Sequence, residues 1–208
     1  MDSSIIIIVL SLLFSAFFSG MEIAFVSANK IHIEIEKKQE GFLAKVLTLL
    51  TDKPSKFIAT MLIGNNIALV VYGFFMGDVL MRLIPLDGIA GLLVQTLTST
   101  IVILLTAEFL PKVFFQIYAN QLVKIFALPA YLFYLLFSVI SEFVIWISDV
   151  VLKVFFKTEG DGVQLSFSKV ELGNYITEQM ESFEQKDELD TEIQIFQNAL
   201  EFSEVKAR

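Results

Sequence analysis

Two serines four residues apart in an apolar stretch could supply oxygen ligands to a cation. The stretch is "FSAFFSGMEIAF", in which Ser15 and Ser19 share one face of a helix and Glu22 follows a little further on. A second stretch, "MLIGNNIALV", carries two adjacent amides, Asn65 and Asn66, within an apolar run. Polar groups in such surroundings need partners, so both stretches are candidates for a functional site.

A carboxylate and a proline interrupt a third apolar stretch, "IVILLTAEFLPKVFF". Glu108 would have to be buried there, and an ionisable group inside a membrane is a candidate functional group because burying it is costly. Pro111 has no N–H, and its ring displaces the carbonyl of Ala107, so the helix can open at this point and expose backbone oxygen. An acid beside such an opening is suited to holding a cation.

These oxygens favour a hard cation. The chain has no cysteine, and its single histidine, His32, lies outside the apolar stretches, so Mg²⁺, Ca²⁺ or Na⁺ fits better than Zn²⁺ or Cu⁺. Simpler explanations remain open. Serine commonly bonds its own helix backbone, asparagine can join two helices, and a protonated Glu108 could be purely structural.

The elements that carry these residues are predicted to be membrane-spanning helices. The 208 residues are 55% apolar with a mean hydropathy of +0.70, well above the usual composition of soluble domains. Runs of about 20 or more mostly apolar residues are long enough to cross the bilayer. Three such runs occur: Ser4 to Ala28, Phe57 to Leu80 and Ile89 to Phe115. We therefore expect an all-α integral membrane protein with three transmembrane helices.

The distribution of lysines predicts the orientation. The segment between the first two spans carries six lysines, whereas only Arg82 lies between the second and third. Because cytoplasmic loops are rich in Lys and Arg, the N-terminus is expected outside and the C-terminus in the cytoplasm, for a multi-pass protein of the plasma (inner) membrane. The six are Lys30, Lys37, Lys38, Lys45, Lys53 and Lys56.

A fourth apolar stretch, Ile125 to Phe156, is open to two interpretations. A single crossing would place the acidic C-terminal region outside, against the charge rule. Pro129 and the polar residues Ser138, Ser141 and Glu142 instead favour a broken juxtamembrane helix that lies along the inner interface as a belt, anchored by Trp146. A fourth span remains the alternative, since the length would allow it.

The C-terminal region has a different composition. Residues 158–208 contain 12 acidic and 4 basic residues, whereas the preceding 157 residues have 11 of each. Apolar residues at helical spacing, such as Ile193, Phe196 and Leu200, predict a small cytoplasmic helical bundle. We expect two domains, a transmembrane domain at 1–157 and an acidic helical segment at 158–208, with "KTEGDG" as the hinge.

The stretches "SAFFSGMEIAF", "TMLIGNNIA" and "AEFLPK" resemble, in order and spacing, the transmembrane domain of the CorC/CorB magnesium and cobalt efflux proteins, which are related to the cyclin M transporters. The resemblance covers about residues 4 to 157. It implies a homodimer of three-span subunits, a belt-like juxtamembrane helix and a dehydrated Mg²⁺ held near the middle of the membrane. It also implies export of Mg²⁺, with Co²⁺ as a second cargo, in exchange for Na⁺ by alternating access.

Carried over residue by residue, the resemblance assigns Ser15, Ser19, Asn65 and Glu108 as metal ligands, and it extends to Asn66 and Glu22. One departure is Thr106-Ala107 before the third-span glutamate, where the family has a glycine-containing pair. In the family, the acidic segment leads into a pair of CBS modules that sense ATP in the full-length protein. This sequence does not contain those modules.

The competing function is that of a non-transporting membrane anchor or a divalent-cation sensor. A transporter needs a carboxylate at membrane depth, whereas an anchor does not. An enzyme is not expected, because the sequence contains no Ser/His/Asp constellation, phosphate-binding glycine loop or HExxH motif. Small residues such as Gly64, Ala68 and Gly73 would allow close approach of helices in a dimer. The expected partners are a second copy and the lipid bilayer, with no nucleic acid.

Overall fold

The computed structural model of the chain describes residues 2–86 and 88–156, and within these ranges the protein consists of helices joined by short turns, with no strand. The two short π-helical segments, Leu104–Phe109 and Leu152–Phe156, each continue an α-helix. The α-helices of the described residues are α1 (Asp2–Ser27), α2 (Lys30–Lys37), α3 (Phe42–Asp52), α4 (Pro54–Leu83), α5 (Gly88–Ile103), α6 (Leu110–Ile117), α7 (Ala119–Ile125), α8 (Ala127–Leu136) and α9 (Ser138–Val151).

Three helices are long and apolar enough to cross a membrane, in agreement with the three predicted spans, and a fourth crossing would require the bent pair α7 and α8 to form one span. They are Ser3–Ser27, Pro54–Leu83 and Gly88–Ile117, and the last comprises α5, the first π-helical segment and α6. The second span begins with Pro54, whose missing N–H costs nothing in the first turn of a helix. The all-α membrane fold predicted from hydropathy is therefore correct.

The first span lies at the centre of the molecule and packs against both α4 and α6. Two glycines allow the close approach. A Cβ atom at Gly64 would lie 2.5 Å from the ring of Phe18, and one at Gly20 would lie 2.5 Å from the ring of Phe115. Gly64 therefore serves packing within the chain, as does the buried Ala68. At Gly73, in contrast, an added Cβ would meet no described atom within 4 Å.

The stretch after the third span is broken, as the sequence predicted, into α7, α8 and α9. The helix axis bends by 61° between α7 and α8, at Phe126. Pro129 lies in the first turn of α8, where it cannot donate to the carbonyl of residue 125, so the preceding helix ends there. A second break falls at Phe137, directly before Ser138.

The broken stretch contacts the end of the first span and the start of the second. Asn120 in α7 accepts a hydrogen bond from the backbone N–H of Asn29, just after the first span (2.7 Å). Ser141 in α9 shares a 2.9 Å hydroxyl contact with Thr60, in the second turn of the second span. Because the chain leaves the first span and enters the second on one side of the membrane, α7 and the start of α9 are on that side.

The predicted acidic helical segment at 158–208 and the hinge at Lys157 to Gly162 lie outside the described residues.

Candidate cation site

A buried hydroxyl–amide pair joins the first two spans. The Ser15 Oγ donates to Asn65 Oδ1 over 2.6 Å, and the two side chains belong to residues that are 0% and 8% exposed. Ser15 thus bonds across the helix interface and not to its own backbone. The close approach that Gly64 permits brings the neighbouring Asn65 within reach of α1. Two of the predicted ligands are therefore in direct contact.

The spacing of this pair suits a small divalent cation. Mg²⁺ requires near-octahedral oxygens at about 2.0–2.1 Å, so neighbouring ligands lie about 2.9 Å apart. The oxygens of Ser15 and Asn65 are 2.6 Å apart. If they moved apart by a few tenths of an ångström, both could coordinate one ion. Their hydrogen bond then satisfies the two groups when no ion is present.

Ser19 provides a buried hydroxyl that lacks a partner. It is 0% exposed, and its Oγ has no hydrogen bond to any part of the chain that the structure describes. A buried polar atom left unpaired costs about 1–3 kcal/mol, so it is rare without a bound ligand or water. Ser19 lies one turn from Ser15 on the same face of α1, so the two serines form a row of polar side chains on this face.

Glu108 lies in the π-helical segment Leu104–Phe109, which packs against α1. The N–H of Leu110 donates to the carbonyl of Leu105, five residues back, immediately before Pro111. The opening predicted beside the proline is therefore a π-helical turn, a feature that often marks functional sites. Glu108 is half-buried, and its carboxylate makes no hydrogen bond or ion pair with a described residue.

The last two predicted ligands are not drawn into this contact. Asn66 is exposed, and its Nδ2 donates to the carbonyl of Leu62 in its own helix (2.8 Å). Glu22 is half-buried, with no hydrogen bond to a described side chain. Of the two adjacent amides, Asn65 faces α1, whereas Asn66 bonds its own helix because adjacent residues point in different directions.

A further serine, Ser11, was not among the predicted ligands; it is 6% exposed and lies one turn before Ser15. The repeat of serine every four residues at 11, 15 and 19 could have identified it. Among the described residues, Ser11 is the one polar side chain that lines a cleft of about 290 Å³ between α1, α4 and α8, which also touches Phe18 and Gly64. So apolar a cleft does not suit an ion.

No group of three or more His, Asp or Glu side chains within residues 2–86 and 88–156 could hold a metal ion. A cation between the spans would therefore be held largely by neutral oxygens, with a carboxylate as the charged ligand. Such a set suits a hard cation.

The chain is thus a multi-pass α-helical membrane protein with a buried hydroxyl–amide contact between its first two spans. Residues 5–191 match the family described as the Cyclin M transmembrane N-terminal domain. The match covers most of the chain, so the protein belongs to this family. The matched family is one of membrane proteins and not of enzymes, in agreement with the expectation that the chain is not an enzyme.

Two curated relatives agree with this family. The chain is 28% identical over 168 residues to the UPF0053 inner membrane protein YfjD of Escherichia coli, an alignment that covers 79% of the chain and 38% of the relative. It is 31% identical over 116 residues to a UPF0053 protein of Haemophilus influenzae, with 56% of the chain and 27% of that relative covered. The aligned part is therefore well under half of either relative's length.

Proposed function

We propose that the chain is the membrane part of a transporter that exports Mg²⁺, with Co²⁺ as a second cargo, in exchange for Na⁺. The observation that carries the proposal is the buried contact between Ser15 and Asn65, with the unpaired hydroxyl of Ser19 one turn away. Glu108, in the adjoining π-helical segment, supplies the charge. Asn66, which bonds its own helix, and Glu22 are secondary candidates.

An exporter must offer its site to each side of the membrane in turn. The Ser15–Asn65 hydrogen bond suits such a cycle, because it can close when the ion leaves and open when the ion binds. The competing proposal is a non-transporting anchor or cation sensor, and of these two the anchor has no need of an unpaired buried hydroxyl. Ser19 therefore favours transport over simple anchoring.

We propose an orientation with the N-terminus outside and the C-terminal region in the cytoplasm. The lysines between the first two spans support it, because they lie on α2, on α3 and at the start of α4. The contacts Asn29–Asn120 and Thr60–Ser141 then hold α7 and α9 at the inner surface. These helices would form a belt there and not a fourth span.

We also propose that the protein is a homodimer. The third span is poorly covered within one subunit: 6% of its most apolar 18 residues are buried, against 39% and 44% for the first two spans. On α4, a Cβ added at Gly73 or Gly77 would have no described atom within 4 Å, and the four-residue spacing of these glycines suits close helix contact. ATP would act through CBS modules in a full-length protein.

The transport proposal is tested by ion flux in proteoliposomes, with the Mg²⁺ and Na⁺ gradients varied independently. Mg²⁺ should move when only a Na⁺ gradient is imposed, in the direction opposite to Na⁺. A sensor or anchor would move no Mg²⁺ under either gradient, although the protein is folded and inserted. Mg²⁺ movement that ignores Na⁺ would retain transport and contradict the exchange.

A further inference from the structure

A cleft of about 270 Å³ lies between the start of α4 and the helix α9, away from the candidate cation site. Charged residues of both signs line it together with a tryptophan. The lining residues are Lys53, Lys56, Glu142, Ile145, Trp146 and Asp149. Since the cleft contains both cations and anions, it is suited to a ligand that carries both charges.

Within the cleft, Lys56 is already paired with other side chains of the protein. Its Nζ donates to Glu142 Oε1 over 2.6 Å and to Ser138 Oγ over 2.7 Å, and its side chain is only 10% exposed. The ammonium also lies 5.0 Å from the centre of the Tyr134 ring. The hydrogen bond from Lys56 lowers the pKa of Glu142, so this carboxylate stays ionised and paired at neutral pH. The pair fixes α9 against α4.

Two further charges line the cleft on opposite sides. The side chains of Lys53 and Asp149 make no hydrogen bond or ion pair with a residue in the described part of the chain, and Lys53 acts on Glu142 only through its charge, which helps to lower the pKa of that carboxylate. Lys53 is exposed on the α4 side, and Asp149 is half-buried on the α9 side. As far as the described residues go, the walls of the cleft thus present a cation and an anion that are both available to whatever enters.

The cleft lies at the depth of lipid headgroups. Lys53 directly precedes Pro54, the first residue of the second span, so it marks the end of a transmembrane helix. Trp146 is 61% exposed at the edge of the cleft, and tryptophan is enriched at the membrane–water interface. Next to it on α9, the exposed Phe143 and Val150 provide apolar surface for acyl chains. A lipid is therefore a better occupant than a soluble molecule.

We propose that this cleft binds the headgroup of phosphatidylethanolamine, with the phosphate at Lys53 and the ammonium at Asp149. A primary ammonium donates hydrogen bonds to a carboxylate, whereas the quaternary ammonium of phosphatidylcholine has no N–H to donate and requires an aromatic cage. Trp146 alone is not a cage. Phosphatidylglycerol offers a phosphate to Lys53 but no cation to Asp149. The cleft therefore selects a zwitterionic amine lipid.

The test is native mass spectrometry of the full chain in detergent, titrated with the three lipids carrying identical acyl chains. Phosphatidylethanolamine should bind about tenfold more tightly than either of the others, the size expected from one charge-assisted hydrogen bond. Asp149→Asn should remove this preference by weakening phosphatidylethanolamine alone. Lys53→Gln should weaken all three lipids together. The exposed residues Glu40 and Lys45 lie outside the cleft, so Glu40→Gln and Lys45→Gln are matched controls that should change nothing.

Equal binding of the three lipids, or a phosphatidylethanolamine preference that survives Asp149→Asn, would overturn the proposal. A soluble competitor, glycerophosphoethanolamine, distinguishes the two sources of this headgroup. It should displace the lipid only at far higher concentration, because it lacks acyl chains. Displacement at the lipid's own concentration would show that the cleft takes a free phosphoethanolamine compound and would contradict a lipid site. None of these measurements depends on Mg²⁺ transport.

Discussion

Replacing Ser15 by alanine tests the hydrogen bond between the first two spans. The variant removes the hydroxyl that donates to Asn65 Oδ1 over 2.6 Å. Asn65 is only 8% exposed, so its Oδ1 is left without a partner. An unpaired buried acceptor costs about 1–3 kcal/mol, whereas interhelical hydrogen bonds in membranes contribute about 0.6 kcal/mol on average and about 1.7 at most. We therefore expect a loss of about 1 kcal/mol in the free energy of unfolding without Mg²⁺.

The assay is a double-mutant cycle with Ser15→Ala, Asn65→Ala and the double variant, unfolded by a denaturing detergent in mixed micelles. The coupling energy between the two sites should be about 1 kcal/mol. Thr98→Ala is the matched control, because the Thr98 hydroxyl bonds the carbonyl of Val94 in its own helix (2.8 Å) and not a second span. Removing that hydroxyl should leave the stability nearly unchanged.

Repeating the cycle with Mg²⁺ connects stability to binding. An ion that binds only the folded protein stabilises it in proportion to the logarithm of its concentration over Kd. The wild type should gain stability from Mg²⁺, and Ser15→Ala should gain less, because one ligand is missing. A coupling energy near zero without the ion would contradict the hydrogen bond between Ser15 and Asn65, and equal stabilisation of both proteins by Mg²⁺ would contradict Ser15 as a ligand.

The remaining predictions concern packing, orientation and assembly. Gly64→Leu should destabilise the protein by more than about 1 kcal/mol in the same unfolding assay, because even a Cβ would lie 2.5 Å from the Phe18 ring; an unchanged unfolding curve would contradict the close approach. In the cysteine-free chain, an impermeant thiol reagent applied outside should label Leu86→Cys but not Glu40→Cys or Gly162→Cys. Labelling at residue 40 would contradict this orientation, and labelling at residue 162 without labelling at residue 40 would establish a fourth crossing. Gly73→Leu should shift a dimer toward monomer in light scattering corrected for detergent, and a wild type that is monomeric at all concentrations would contradict the dimer.

The number and approximate limits of the spans could be predicted from the sequence because hydropathy reports directly on the bilayer. The predicted run Ile89 to Phe115 lies within the observed span Gly88–Ile117, for example. The breaks in the stretch that follows were also predictable, since Pro129 ends a helix for local steric reasons. Both features depend on neighbouring residues alone.

The contacts between spans could not be predicted from the sequence. Nothing in "IGNNIA" decides which amide faces the first span, and only the helix packing makes Asn65 the partner of Ser15. The role of Gly64 likewise depends on Phe18, which is 46 positions away in the chain. The pairing of Lys56 with Glu142 joins residues 86 positions apart, so composition could not reveal it. Long-range contacts require the folded arrangement.

The cation site is tested most directly by calorimetric titration of Mg²⁺ into the purified wild type and Glu108→Gln, with a thermal melt of each. The substitution keeps the shape and one oxygen but removes the charge that a dehydrated divalent ion needs in a low-dielectric interior. The account predicts that Mg²⁺ affinity falls by about 10- to 100-fold while folding survives, and that the exposed-site control Glu40→Gln binds as the wild type does. Unchanged Mg²⁺ affinity in a well-folded Glu108→Gln protein would contradict the cation site and favour the anchor.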